Sequence, residues 1–526
     1  MSGGLQARKT VVVIGGGIAG LATAALLARE GHQATLLEAR SELGGRAGSW
    51  QKDGFRFDTG PSWYLMPEVF DHFYRLLGTS SAQQLALTRL NPGYRVFFEK
   101  HGDSVDVMAE RAANLRTFER IEPGAGTALN RYLVSAKDAY EVALRRFLYS
   151  TFASPRRLLA FDVVKRMPRL TRLLLQPLDG FAARYVTDRR LRQILGYPAV
   201  FLGSSPSLTP SLYHLMSHLD LEDGVYYPDG GFAAVIASIT GLAQAEGVSI
   251  VTGARARRIT TTAAGKRARV TGVDFTDGDG AMRQVAADVV VSAADLHHTE
   301  TELLPATLRS YPEEWWSTRT AGPGAILVFL GVAGSLPELA HHSLFFTEDW
   351  AENFGRIFTA PTSIPDPASI YVCRPSATDP AVAPAGHENL FVLVPVPADP
   401  SIGGGGINGA GDDSVEAVAD TVIRQISQWA GIPDLAERIV LRRTLGPGDF
   451  EAGFHSWKGS ALGPAHTLRQ SAFLRGKNVS SKVDGLLYAG GTTVPGIGLP
   501  MCLISAELVI KRLRGDTTTS ALPEPL

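Results

Sequence analysis

The run Val11-Val12-Val13-Ile14-Gly15-Gly16-Gly17-Ile18-Ala19-Gly20, continued by Leu21 to Glu30 and then Ala34-Thr35-Leu36-Leu37-Glu38, decides the fold. Four consecutive β-branched residues bounded by glycine predict a strand buried on both faces. Ile18 to Glu30 is rich in Ala and Leu and predicts a helix, with Gly31 at the C-cap position. Ala34 to Glu38 predicts a second strand. Strand, helix and strand within about thirty residues form the unit a dinucleotide site requires. The turn satisfies GxGxxG, and each glycine serves a separate mechanical need. Gly15 permits the tight turn, Gly17 lets backbone approach a pyrophosphate, and Gly20 lets helix and strand pack closely. Ile18 and Ala19 open the helix, whose free N–H groups and partial positive charge suit phosphate oxygens. Glu38, followed by Ala39 and Arg40, can accept hydrogen bonds from ribose hydroxyls and disfavours a 2′-phosphate. A purely structural glycine turn with an exposed Glu is the competing reading.

The chain has 526 residues, 45% apolar and 20% charged, enough for at least two domains. A formal net charge of −1 gives no global attraction to nucleic acid, so no nucleic-acid partner is expected. Cys373 and Cys502 stand far apart without CxxC or CxxH neighbours; a disulfide framework and a metal site are not expected, and a reducing cytoplasm suits them. No run of 18 apolar residues exists, so no helix is expected to span a bilayer, although lying on one stays open.

Further along, Ala143 to Arg192 reads as helical, with breaks at Pro155, Pro168 and Pro177. Strand patterns return at 248–251, 270–276, 289–291, 326–331 and 390–396. The glycine-rich loop 401–413 is expected to be mobile. The segment 486–514 reads as strand, glycine-rich turn and helix, with Gly515 as C-cap before a polar tail. The expected fold class is α/β. A Rossmann-like domain is assembled from residues 8–100, 223–300 and 481–515, beside a mixed α+β substrate domain over 301–480. A helical, membrane-facing region covers 101–222, and a disordered tail covers 516–526.

Six residues past Glu38 comes Gly44-Gly45-Arg46, and later Asp58-Thr59-Gly60-Pro61-Ser62. This spacing resembles the FAD-binding amine oxidase and carotenoid desaturase superfamily. The resemblance implies that Gly44, Gly45 and Arg46 line the flavin's diphosphate and ribityl region. It also implies that the turn carrying Gly60, Pro61 and Ser62 approaches the isoalloxazine. Gly459-Ser460-Ala461, Pro464 to Ala472 and Leu486 to Glu507 look like the terminal signature of bacterial-type phytoene desaturases, and the likeness extends through 191–193, 203–213, 224–231 and 339–343. It implies FAD as cofactor, with Gly490, Gly491, Pro495, Gly496, Gly498 and Leu499 along the flavin. It further implies an apolar polyene substrate, phytoene converted stepwise to lycopene. Two departures stand out: Val494 occupies a position where many relatives carry His, and the acid that amine oxidases place near Gly491 is missing. The rivals are a carotene isomerase, a desaturase of another polyene and a carotenoid-binding flavoprotein without catalysis.

Acid–base candidates are Asp162 and His466. Asp162 shares a helix face with Lys165 and Arg166, which a salt-bridged surface explains equally well. The pairs His297-His298 and His341-His342 lack helical metal-ligand spacing and read as structural. Between 142 and 192, twelve Lys or Arg face only Asp162, Asp179 and Asp188, interleaved with Leu and Phe. That composition suits an interfacial element, so a cytoplasmic protein held peripherally at the cytoplasmic membrane is expected; an ordinary basic helical subdomain is the alternative.

Overall fold

The computed structural model of the chain describes residues 8–153 and 161–526, with side chains described throughout except at 161–165. Strand β1 (Thr10–Ile14) is followed by helix α1 (Ile18–Arg29) and strand β2 (Gln33–Leu37). Three later segments, β3 (Ser249–Val251), β4 (Val289–Ser292) and β5 (Leu486–Tyr488), complete a parallel sheet in the order β5-β4-β1-β2-β3. β1 lies at its centre, pairing Val11 with Val289 on one side and with Ala34 on the other. Its alternation sends Val11 and Val13 into the core beneath α1, whereas Val12 and Ile14 pack with Val290, Leu486 and Trp316 on the opposite face. Burial on both faces is why the strand reads as an unbroken apolar run.

Helix α1 buries Ile18 through Leu27 against α2 (Gly231–Ala245) and α3 (Leu499–Arg514). A polar helix surface would not survive there; the Ala and Leu content of α1 follows from its position between sheet and helices.

A second sheet has seven strands in the order 439–445, 324–333, 387–396, 370–373, 342–346, 94–98 and 105–107. All neighbours run antiparallel except His342–Phe346 beside Tyr94–Phe98. One face, through Ile326, Val328 and Leu330, packs on the helix Asp413–Ala430. The other, through Leu327, Phe329, Leu344 and Tyr371, packs on Phe57, Tyr197 and neighbouring aromatics. This second face becomes one wall of the site described below.

Three expectations are corrected. Pro168 does not break the helix Phe161–Leu175 but lies inside it; Pro155 falls outside the described residues. The loop 401–413 is pinned rather than loose: Gly404 N–H donates to Asp412 at 2.7 Å, Gly405 N–H to Asp449 at 2.6 Å and Gly406 N–H to Thr444 Oγ1 at 2.8 Å. Nor is the tail 516–526 free. The fully buried Lys511 ammonium needs acceptors and finds the carbonyls of Tyr149, Thr518 and Ser520 at 2.6–2.9 Å. Leu522 is buried and its N–H reaches Glu507 at 2.6 Å, while Leu526 N–H donates to Leu76 O at 3.1 Å.

His72 sits between Glu507, 2.9 Å away, and Glu524 of the tail. Burial alone would lower its pKa, but the two carboxylates outweigh that effect and raise it above 6.5. The imidazolium's contribution to docking the tail is therefore complete below pH 6.5 and is lost as pH climbs through the raised value. Hydrogen-exchange protection of residues 519–526 should fall about fivefold, ~1 kcal/mol, between pH 6 and pH 9 and lose that dependence in His72→Gln. A pH-independent protection factor in the unsubstituted protein would contradict the pinning role.

Candidate active site

The glycine cradle is built by close approach. At Gly20 a Cβ would lie 1.8 Å from the Gly15 carbonyl oxygen, so α1 can start where it does only with hydrogen at that position. Gly15 itself has φ +101°. Gly17 differs: the nearest atoms to an added Cβ are 3.9 Å away, so its missing side chain leaves room for something other than protein. Glu38 Oε2 accepts from Gly16 N–H at 2.6 Å and Oε1 from Arg40 N–H at 2.8 Å, fixing the turn as well as presenting a carboxylate. Gly44 N–H donates to Gly16 O at 2.9 Å, which draws the second glycine pair onto the first.

Arg46 follows directly. Its Nη2 donates to Ser456 Oγ, but its buried Nε has no partner. Burial lowers the guanidinium pKa and the Asp295 carboxylate opposes that. Asp295 caps the helix Leu296–Glu302 through His297 N–H at 2.9 Å, yet its Oδ2 is also unpartnered. Orphaned buried donors of this kind are completed by a ligand, and a phosphate or flavin oxygen fits the Arg46 position. Asp58 acts elsewhere. It accepts Phe232 N–H at 2.8 Å and Ala233 N–H at 3.2 Å at the start of α2, and burial pushes its pKa to about 6. Gly60 is packed so that a Cβ would lie 2.2 Å from Arg46 O, and Ser62 Oγ meets Tyr371 OH at 2.6 Å.

After β5 the chain turns through Gly490, whose N–H is taken by Ser505 Oγ at 3.0 Å rather than left for a ligand. The segment up to α3 is clamped by Arg475, buried and donating to the carbonyls of Gly491, at 2.5 Å, and Thr493, at 3.1 Å. Nothing local marks Arg475 in the sequence, because its partners lie sixteen and eighteen residues on and meet it only in the folded turn.

These segments enclose one cavity of about 930 Å³. Gly15, Gly17, Ile18, Ala19, Glu38, Ala39, Arg40, Gly44, Gly45, Arg46, Gly60, Pro61, Ser62, Gly490, Gly491, Pro495, Gly498 and Leu499 line it; Gly20 and Gly496 stand behind its wall. At Gly496 a Cβ would fall 2.1 Å from His466 Nε2, so that glycine makes room for the imidazole. His466 also lines the cavity; burial drives its pKa well down, while its ring meets the backbone carbonyls of Leu202, to which Nδ1–H donates at 3.3 Å, and Pro495. The Asp162 side chain falls outside the described residues, although Leu170 and Leu174 of the same helix do line the cavity.

The charged lining residues, Glu38, Arg40, Arg46, Arg255 and Asp295, all lie at the glycine end. Away from it the wall is Trp63, Tyr197, Leu344, Tyr371 and their neighbours, continuing to Phe147, Phe152, Leu170, Leu174, Phe473 and Leu474. One cavity thus joins a polar cradle for an anionic dinucleotide to a long arm that carries no charge among the described residues.

Residues 18–509 match the flavin containing amine oxidoreductase family. Among curated proteins the chain is 42% identical to a carotenoid 3,4-desaturase of Haloarcula japonica over 506 residues, covering 96% of this chain and 98% of that one. It is 34% identical to a zeta-carotene-forming phytoene desaturase of Myxococcus xanthus, covering 98% and 95%. Among solved structures, cyclohexylamine oxidase from Brevibacterium oxydans shares the fold with a TM-score of 0.56 at 15% identity, over 96% of this chain and all of that one.

FAD is the cofactor, and when bound it supplies the hydride acceptor for breaking a C–H bond. Arg46→Ala should cost one charge-assisted contact, about 1.5–3 kcal/mol, and raise the Kd for FAD about 10- to 150-fold. Gly20→Ala should abolish flavin retention altogether, since the added methyl cannot coexist with the Gly15 carbonyl. Flavin absorbance relative to protein absorbance after gel filtration reads both, and a Gly20→Ala protein that keeps its flavin would refute the close-packing argument. Cradle, cavity and full-length similarity agree: the chain belongs to the flavin containing amine oxidoreductase family, with the bacterial-type carotenoid desaturases, and is an FAD-dependent oxidoreductase acting on CH–CH bonds.

Proposed function

We propose that this carotenoid desaturase acts on phytoene, introducing double bonds stepwise toward lycopene, and draws its substrate from a membrane surface. The observation that carries this reading is the arm of the cavity, free of charge among the described residues, and the place where it ends. Leu174, Leu468, Phe473 and Leu474 line the cavity and are also 37–54% exposed, so they form its rim. Leu175, 69% exposed, follows directly. An apolar opening of this kind suits a hydrocarbon leaving lipid, with burial worth about 25 cal/mol per Å² against water and far less against bilayer.

The rim, more than the basic composition, supports docking. Arg145 pairs with Glu141, Arg166 and Arg169 with Asp138, Arg189 with Glu348 and Arg190 with Asp188, so much of the positive charge is already balanced. Among the described residues no helix is long and apolar enough to cross a membrane, which agrees with a peripheral mode.

Within the cavity, this reading makes the apolar wall the group that holds the polyene, and His466, the imidazole that lines it, the proton acceptor. A neutral, buried imidazole is a weak base, but an allylic carbocation left by hydride loss is a strong acid and needs no stronger one. A second reading, desaturation at the 3,4 position of an already conjugated carotenoid, draws on the 42% identity to the Haloarcula japonica protein.

The deciding experiment offers phytoene or lycopene in liposomes to the FAD-loaded enzyme without oxygen and follows the visible spectrum. Flavin bleaching with new polyene bands from phytoene supports the first reading. Bleaching with lycopene alone replaces it with the second, and bleaching with neither sinks both. For the rim, Leu175→Asp together with Leu474→Asp should weaken liposome binding at least about tenfold, given ~1.5–3 kcal/mol per buried leucine. Flavin content should stay unchanged. Undiminished co-sedimentation with liposomes would remove the membrane proposal.

A further inference from the structure

Behind the cavity wall lies a cluster that the desaturation chemistry does not use. His342 opens a strand of the second sheet and pairs across it with Cys373; His341 precedes it. The three side chains are 5%, 0% and 1% exposed for His341, His342 and Cys373, and one ligating atom from each lies within 4.8 Å of the others. Each imidazole is anchored through Nδ1, His341 to Thr378 Oγ1 at 2.7 Å and His342 to Tyr371 OH at 2.8 Å. Trp63 stacks on His342 with ring centres 4.5 Å apart and 10° between planes. Both Nε2 atoms are buried with no hydrogen-bond partner. Two imidazoles oriented by polar contacts at one nitrogen and left empty at the other have the arrangement of metal ligands held by their outer partners. Adjacent histidines hide this in the sequence because the third ligand arrives across a strand pair.

We propose that His341, His342 and Cys373 bind one copper(I) ion in a three-coordinate N2S site beside the substrate cavity. Bonds of about 2.0–2.3 Å set ligand atoms about 3.5–4 Å apart, so the site closes by side-chain rotation from the present cluster, with Cys373 leaving its contacts to Tyr371 and Ser62. Binding exchanges the Cys373 thiol proton, which leaves to solvent, for the metal. Charge selects the ion. One thiolate neutralises Cu(I), whereas a divalent ion would leave a net positive charge in a dry interior. The nearby carboxylates are committed elsewhere: Asp58 to Phe232 and Ala233 N–H, and Asp379 to Gly230 N–H at 2.9 Å and Arg56 at 3.6 Å. Soft thiolate and imidazole donors in a trigonal set also favour copper, while zinc prefers a fourth ligand. Tyr371 links the site to the cavity, its hydroxyl meeting both His342 and Ser62.

The test is an anaerobic competition of the FAD-loaded, full-length enzyme with a chromophoric copper(I) chelator, followed by X-ray absorption at the copper edge. One copper per chain with one sulfur and two nitrogen neighbours is expected, bound at least about a hundredfold more weakly in Cys373→Ser. Thr378→Val, which removes only an outer contact, should weaken binding about tenfold and stands in if Cys373→Ser loses its flavin and fold. Sub-stoichiometric binding, equal affinity in Thr378→Val, equal affinity in a Cys373→Ser protein with a native flavin spectrum, or preference for zinc(II) at these residues would each overturn the proposal.

Discussion

The contact on which the rest depends is the one between the carbonyl oxygen of Gly15 and the α-carbon of Gly20. It allows no methyl group between them, and so it fixes how far α1 is pulled down onto the end of β1. From that depth follow the aim of the helix start, the clear space over Gly17 and the reach by which Gly44 hydrogen-bonds to Gly16. Arg46 is two residues beyond, and Gly60 packs against its carbonyl. A shift of α1 by one bond length would break this series at its first member, and the diphosphate end of the cavity would lose its shape.

Much of this is legible in the sequence because its causes are local. β1 announces itself as a run buried on both faces, and GxGxxG with Glu38 at strand's end needs only the neighbouring residues to interpret. The second glycine pair and the terminal glycine turn are also recognisable, and the structure brings them to the same cavity. What escapes a reading of the sequence are features whose partners are remote. Glu38 reads as a ribose ligand, but it also braces Gly16. Asp58 sits in the motif expected to face the flavin, yet it caps α2 across 174 residues. Gly490 N–H goes to Ser505, and Arg475 clamps a turn that has no form until the chain has folded. The loop at 401–413 and the tail look loose because their composition is polar and glycine-rich. Their anchors, Asp449 and Lys511, belong to other elements.

The cavity divides its labour by dielectric. At the glycine end, dipoles and the unfilled Arg46 donor meet a charged ligand whose solvation the protein must replace. In the arm, Tyr197 turns its hydroxyl away to Asp220 at 2.6 Å, so its ring faces the lumen as an apolar surface. A hydrocarbon there loses nothing by leaving lipid except freedom of motion. The same aromatic wall that would hold it stacks Trp63 onto His342, so the chemistry behind the wall and the surface in front of it share one set of side chains.

The order of strands in the parallel sheet has a consequence for how the enzyme is made. β1 and β2 emerge from the ribosome early, but β1 cannot complete its pairing until residue 289 has been synthesised, and β5 with the Gly490 turn comes only near residue 490. The cofactor's pocket is therefore complete only once the Gly490 turn has been synthesised and has joined the sheet. Until then the parallel sheet lacks its edge strand β5, and the glycine cradle beside β1 has no partner turn to close against.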